Sequence, residues 1–203
     1  MLYSNDANSA HRSSVIDSLE AIRREGGILA FFYCDFRNAR SASASEALRS
    51  TLSQLLCQLR DHAIDPGSLI DDLVDAKKRG GATRNNTKEL AGFASRTARL
   101  FMKKPLVVVD ALDECKDIET LLEGLNTLKE YVQLFMTSRP LPVIKDGLSG
   151  VPLVSMDDMT EKLSADIALH VTRELYARRR LRALGPELKM EIRSVLCHKA
   201  DGM

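Results

Sequence analysis

Pro105-Leu-Val-Val-Val-Asp-Ala-Leu-Asp-Glu-Cys115 decides how this chain is read. Residues 105–109 form an apolar, branched run that ends abruptly in Asp110, and Asp113 and Glu114 follow three and four residues later. The run is too short for a helix but right for a strand buried on both faces, so it predicts the centre of a parallel sheet. Ligands of such sheets bind outside the carboxyl ends of the strands, where Asp110 emerges. An acid at that rim can hold Mg²⁺, directly or through a water, and a second acid can orient or deprotonate an attacking water. The plainer alternative is a buried strand whose flanking acids cap the next helix.

Two further strands are predicted on either side. Residues 28–36 (ILAFFYCDF) are β-branched and aromatic, and residues 132–136 lead into Thr137-Ser-Arg-Pro140. Residues 151–155 (VPLVS) predict a last short strand. Helical spacing runs through Val15, Ile16, Leu19 and Ile22, with Gly26-Gly27 as a stop. It returns in Leu48, Leu52, Leu55, Leu56 and Leu59 behind a capping box at Ser43 and Glu46. Shorter helices are predicted around Leu69–Val74, behind Asn86, and after Asp117. Residues 161–183 and 186–198 predict two helices with no strand between them.

Strands alternating with helices, followed by helices alone, imply an α/β fold with a small helical appendage. Right-handed crossovers predict helices on both faces of the sheet. The expected division is a polar leader and first helix at 1–27, an α/β core at 28–155, and a helical extension at 156–203.

Composition narrows the function classes. In 203 residues, 44% are hydrophobic and 28% charged, and a net charge of +1 gives no global field toward nucleic acid or membrane. Arg178-Arg-Arg180 with Arg182 reads as a solvated helix face. Cys34, Cys57, Cys115 and Cys197 show no metal-ligand spacing and read as reduced thiols, which suits a cytoplasmic protein. No apolar run approaches the roughly 20 residues that cross a bilayer. Lys77-Lys-Arg-Gly-Gly81 reads as a connector, since no strand precedes it. Met156-Asp-Asp-Met159 reads as the cap of the next helix.

If the strand before Thr137 neighbours the strand before Asp110, Arg139 comes near the acids. Its guanidinium would suit a terminal phosphate, or would simply neutralise Asp110 or Asp113.

LVVVDALDEC resembles a Walker B motif. Together with LFMTSRP, SSVIDSL, FFYCDFRN and EALRSTLSQLLCQLRD it resembles the NACHT domain of STAND nucleoside triphosphatases, in particular fungal, nephrocystin-like receptors. The resemblance covers nearly the whole chain from Ser13. It implies a P-loop-NTPase-like core with Mg²⁺ and ATP or GTP as cofactors. It makes Asp110 the metal ligand, and Asp113 and Glu114 the acids that support hydrolysis. Ser138 and Arg139 become the nucleotide contacts, with Arg139 sensing the terminal phosphate. The role implied is a nucleotide-dependent switch in intracellular signalling, with self-association or other signalling domains as partners.

The family's first strand and phosphate loop, GxxxxGK[ST], have no counterpart, because no Gly is followed by Lys anywhere. The chain is therefore expected to be an internal piece of the domain, with impaired nucleotide binding and at most weak Mg²⁺-dependent hydrolysis. It is also expected to be marginal or self-associating in isolation. Two other readings stay open. One is a remnant that acts as a protein-interaction module. The other is a small-molecule kinase, for which neither phosphate loop nor Arg-rich lid is visible.

Overall fold

Among the described residues three short strands lie parallel in the order of the sequence: β1 (Leu29–Tyr33), β2 (Leu106–Asp110) and β3 (Gln133–Met136). In this computed structural model the described residues are 22, 26–38, 42–78, 86–148, 150–155 and 160–200. The chain divides into two compact units, residues 1–149 and 150–203. The predicted helix over residues 13–25, the Gly80-Gly81 connector and the 156–159 cap lie outside the described residues, except for Ile22. At that point Gly26 takes φ 80° and the Gly27 N–H donates to the Ile22 carbonyl at 2.9 Å. This is the glycine stop expected there.

β2 is the middle strand because its neighbours offer apolar partners on both sides. The registers are Phe31↔Val108↔Phe135 and Tyr33↔Asp110. Between β1 and β2 run α1 (Ala44–Asp61), α2 (Leu69–Lys78) and α3 (Thr87–Ala98). Between β2 and β3 come a single 3₁₀ turn, Leu112–Glu114, and α4 (Ile118–Leu128). α5 (Pro142–Gly147) follows β3 and packs on α4. It was not foreseen, although Pro142 suits a first helical turn.

The caps act as their residue types require. The Ser43 hydroxyl accepts from the Glu46 N–H, and the Asn86 side chain accepts from the Glu89 N–H. α1, α3 and α4 pack on one another around Leu48, Leu55, Leu121 and Leu125, all but fully buried. Ala30, Val107 and Val109 face that core, with Leu134 and Met136 packed against it.

The helices therefore cover one face of the sheet among the described residues, not both as expected. Strand order explains this. Right-handed crossovers that step in one direction across a sheet all land on the same side, and the second face is covered only where the order reverses. On that second face Phe31, Tyr33 and Phe135 are exposed, and Val108 stays buried between the two phenylalanines.

The outer edge of β1 is closed by side chains instead of a strand. The Gln58 amide accepts from the Leu29 N–H at 2.9 Å and donates to the Leu29 carbonyl at 2.8 Å. One helical turn earlier, Gln54 does the same to Phe31, at 3.1 and 2.8 Å. Amides at i and i+4 on α1 thus match backbone groups at i and i+2 on the strand. An edge that would otherwise invite another strand is satisfied from within.

The second unit contains α6 (Thr160–Ala177), α7 (Arg179–Arg182) and α8 (Pro186–Ala200), with α6 packed on α7 and α8. The expected continuous helix over 161–183 breaks at Arg178, whose ψ of 126° is extended. Lys189 is largely buried. Its ammonium lies 4.6 Å from the Tyr176 ring centre and donates to the Arg182 carbonyl at 2.9 Å. A cation at a helix's carboxyl end and on an aromatic face is favourable twice over. Arg178, Arg179, Arg180 and Arg182 are exposed, as read from the sequence.

Residues 151–155 form no strand, which corrects that expectation. Pro152 can donate no ladder hydrogen bond, and Leu153 and Val154 are well exposed. Among the described residues no helix is long and apolar enough to cross a membrane.

Candidate functional site

β2 delivers Asp110 to the carboxyl rim of the sheet, and the backbone turns sharply one residue later. Ala111 sits in the left-handed region, φ 55° and ψ 48°, which disfavours a side chain by roughly 1–2 kcal/mol. β3's tail holds it there. The Ala111 N–H donates to Thr137 Oγ1 at 3.0 Å, and the Leu112 N–H donates to the Thr137 carbonyl at 2.9 Å. Leu112, with no exposed surface, pins the turn into the core. Asp113 and Glu114 thereby stay at the rim beside Asp110.

Each acid has its own partner. The Thr137 hydroxyl donates to Asp110 Oδ1, and Tyr33 is the register partner of Asp110 on β1. Asp113, only 12% exposed, accepts the Arg139 N–H at 3.1 Å and lies 3.5 Å from Arg139 Nε. Glu114 Oε2 accepts the Phe36 N–H at 3.3 Å. Arg139 thus meets Asp113 and not Asp110. The Ser138 hydroxyl donates to the Arg139 carbonyl at 2.7 Å and is turned to its own backbone. Asp35 pairs with Arg37 at 3.0 Å on the exposed rim, and the guanidinium holds the Asp35 carboxyl below its usual range.

The acidic turn is also tied to the start of α1. Asp117 Oδ1 accepts the Ala44 N–H at 2.8 Å, so Asp117 caps α1 and not its own helix. The Lys116 N–H donates to the Ala42 carbonyl at 2.8 Å. Cys34 and Cys115 are buried beneath this junction. Interaction with Cys115 and burial push the Cys34 thiol far up, while interaction with Cys34 draws Cys115 down from the ordinary thiol range against the effect of its burial.

Tyr33 and Thr137 are the residues that sequence reading missed. Thr137 had a visible signal, as the hydroxyl that opens TSRP. Tyr33 had none until the register placed it opposite Asp110. The hydrogen bond to Asp110, that acid's charge, burial and Glu114 raise the Tyr33 phenol above its ordinary 10.0. A raised folded-state value stabilises below pH about 10 and is lost as pH climbs through the raised value. Ultraviolet titration, with Tyr33→Phe to assign the signal, should therefore show Tyr33 ionising above its ordinary value, and Asp110→Asn should bring it down. A Tyr33 that ionises at its ordinary value in the parent chain would contradict this reading.

A shallow groove of about 360 Å³ lies elsewhere, along α1 between Arg49, Leu52, Leu56 and Arg60, and includes none of the rim acids. The chemistry-bearing groups are at the rim, and an open groove lined by one helix carries less weight.

A family model described as Nephrocystin 3, N-terminal, matches residues 9–139. The chain belongs to this family. The matched stretch takes in β1, β2, β3 and the acidic turn, and it ends at Arg139. No curated protein and no solved structure matches the chain.

Proposed function

We propose that this chain carries the acidic half of a NACHT-type nucleoside-triphosphate site, in a protein that uses nucleotide to switch a signalling state. The observation that supports this most is Asp110, set at the carboxyl end of the middle parallel strand, with the Thr137 hydroxyl donating to it and Tyr33 opposite it in register. Mg²⁺ is a hard cation that keeps several waters and takes one or two carboxylates beside phosphate oxygens. Asp110 fits that demand.

When bound, Mg²⁺ with a nucleoside triphosphate would supply the charge neutralisation that phosphoryl transfer needs. The chain's own groups do the rest. Arg139 is 82% exposed, and its pair with Asp113 contributes at most about 1 kcal/mol in solvent. A bidentate phosphate contact is stronger, so the guanidinium can leave Asp113 for a terminal phosphate. Asp113 then keeps the Arg139 N–H, and β3's tail registers the change. Glu114 must release the Phe36 N–H before it can orient water, which suits slow hydrolysis. The amide cradle of a phosphate loop is not among these residues. Affinity is therefore expected on the order of 1 mM, about −4 kcal/mol.

Titration with a fluorescent ATP analogue, with and without Mg²⁺, tests the reading. Saturable, Mg²⁺-dependent binding should weaken at least tenfold in Asp110→Ala, with the far-ultraviolet circular dichroism unchanged. A folded sample that binds nothing at several millimolar would favour the second reading, a protein-interaction module. What favours that reading is the internal engagement of Asp113 and Glu114, together with the exposed Phe31 and Phe135 on the sheet's second face.

A further inference from the structure

The two edges of the sheet differ. On β1 the outward backbone groups of Leu29 and Phe31 are taken up by the Gln58 and Gln54 amides. On β3 nothing equivalent occurs among the described residues. The Gln133 and Thr137 N–H groups donate inward, to the Pro105 and Val109 carbonyls at 2.8 and 3.0 Å. In a parallel pair, alternate residues bond the neighbouring strand, so the N–H and C=O of Leu134 and Met136 point away from β2. Among the described residues these four groups have no hydrogen-bond partner.

The strand also lacks the devices that usually blunt an edge. Gln133-Leu-Phe-Met136 has no charge and no proline, and its register with β2 runs without a bulge. Its third residue, Phe135, is 47% exposed on the uncovered face, in one row with Val108 and Phe31.

We propose that the outer edge of β3 is a self-association surface, where a second copy of this chain adds its own β3 antiparallel, about a two-fold axis at Phe135. The register follows from which groups are open. Leu134 faces Met136 of the second copy, and Met136 faces that copy's Leu134. Each pair exchanges two hydrogen bonds, so every open group on both strands is satisfied. Phe135 then faces its own counterpart as a non-hydrogen-bonded pair, with Cα atoms about 4.5 Å apart. Both rings lie on the uncovered face, where an aromatic cross-strand pair is favourable. Leu134, Phe135 and Met136 are thus their own complement, with no charge to repel the copy.

The difference between the edges also limits the assembly. Each copy brings one open edge, and the two-fold pairing occupies both. The joined sheet ends on β1 at either side, where Gln54 and Gln58 leave no group to extend. A single short strand pair is a small surface, so the association is weak and concentration-dependent.

Sedimentation of the full chain from roughly 10 to 500 µM should show monomer passing to dimer, with no larger species. Over the same range amide exchange should slow at Leu134 and Met136 and stay unchanged at Phe135, whose N–H faces β2. Phe135→Lys sets two like charges opposite each other at an exposed position, and should weaken dimerisation about tenfold or more with the fold intact. In a Cys57→Ser, Cys197→Ser background, Phe135→Cys treated with copper phenanthroline should give a covalent dimer. Gln133→Cys, off the axis, should not. A chain that stays monomeric throughout overturns the proposal, as does growth beyond the dimer. So does association that Phe135→Lys leaves intact. Protection of Leu134 and Met136 that ignores concentration would give the edge to another segment of this chain, and overturns it as well.

Discussion

Leu112→Ala is expected to destabilise the first unit by about 3 kcal/mol, the middle of the range for a fully buried leucine whose cavity cannot collapse. Leu112 has no exposed surface, and the residues on either side of it are fixed. Ala111 is held in a left-handed conformation and Asp113 is bonded to the Arg139 backbone. The backbone therefore cannot sink to fill the space. Urea unfolding should show a lower midpoint at unchanged slope. The same variant should loosen the acidic turn and speed amide exchange at Leu112 and Ala111. A loss below about 1 kcal/mol would mean that β3's tail, and not the core, anchors the rim.

Gln58→Ala should cost about 2–3 kcal/mol although the residue is polar and the helix stays intact. Its amide satisfies both backbone groups of Leu29 in a buried setting, and truncation strands a donor and an acceptor together. Gln58→Glu should recover only part of the loss, because a carboxylate can accept from the Leu29 N–H but opposes the Leu29 carbonyl. Removing Gln54 as well should open the β1 edge. Sedimentation would then show stronger concentration-dependent association than in the parent chain. A Gln58→Ala protein of unchanged stability would show that water replaces the amide at no penalty.

The middle strand was legible because residues 106–109 are apolar and branched without interruption, and a strand with neighbours on both sides reads that way. Ser43 and Asn86 were legible as caps because a cap is a local contract between a side chain and an amide three residues on. Covering of the sheet was not legible, since which face receives a helix depends on strand order, a property no single segment carries. Residues 151–155 misled because their apolar side chains suit a strand, while Pro152 weighs against one. Gln54 and Gln58 did leave a trace in the sequence. Two amides a turn apart, within a helix whose other periodic positions are leucines, mark buried polar groups with work to do. Asp110 ends β2, and Asp113 and Glu114 lie in the turn that follows it. Their partners Thr137 and Tyr33 come from other strands and needed the register.

The most direct test of the central claim is a ¹H–¹⁵N spectrum of the labelled chain titrated with ATP to several millimolar, with Mg²⁺ and then with the Mg²⁺ chelated. The account predicts Mg²⁺-dependent shifts concentrated at residues 110–114 and 137–139 and at Tyr33, and their disappearance in Asp110→Ala. Shifts that ignore Mg²⁺, or that gather along α1 and leave the rim unmoved, would contradict it.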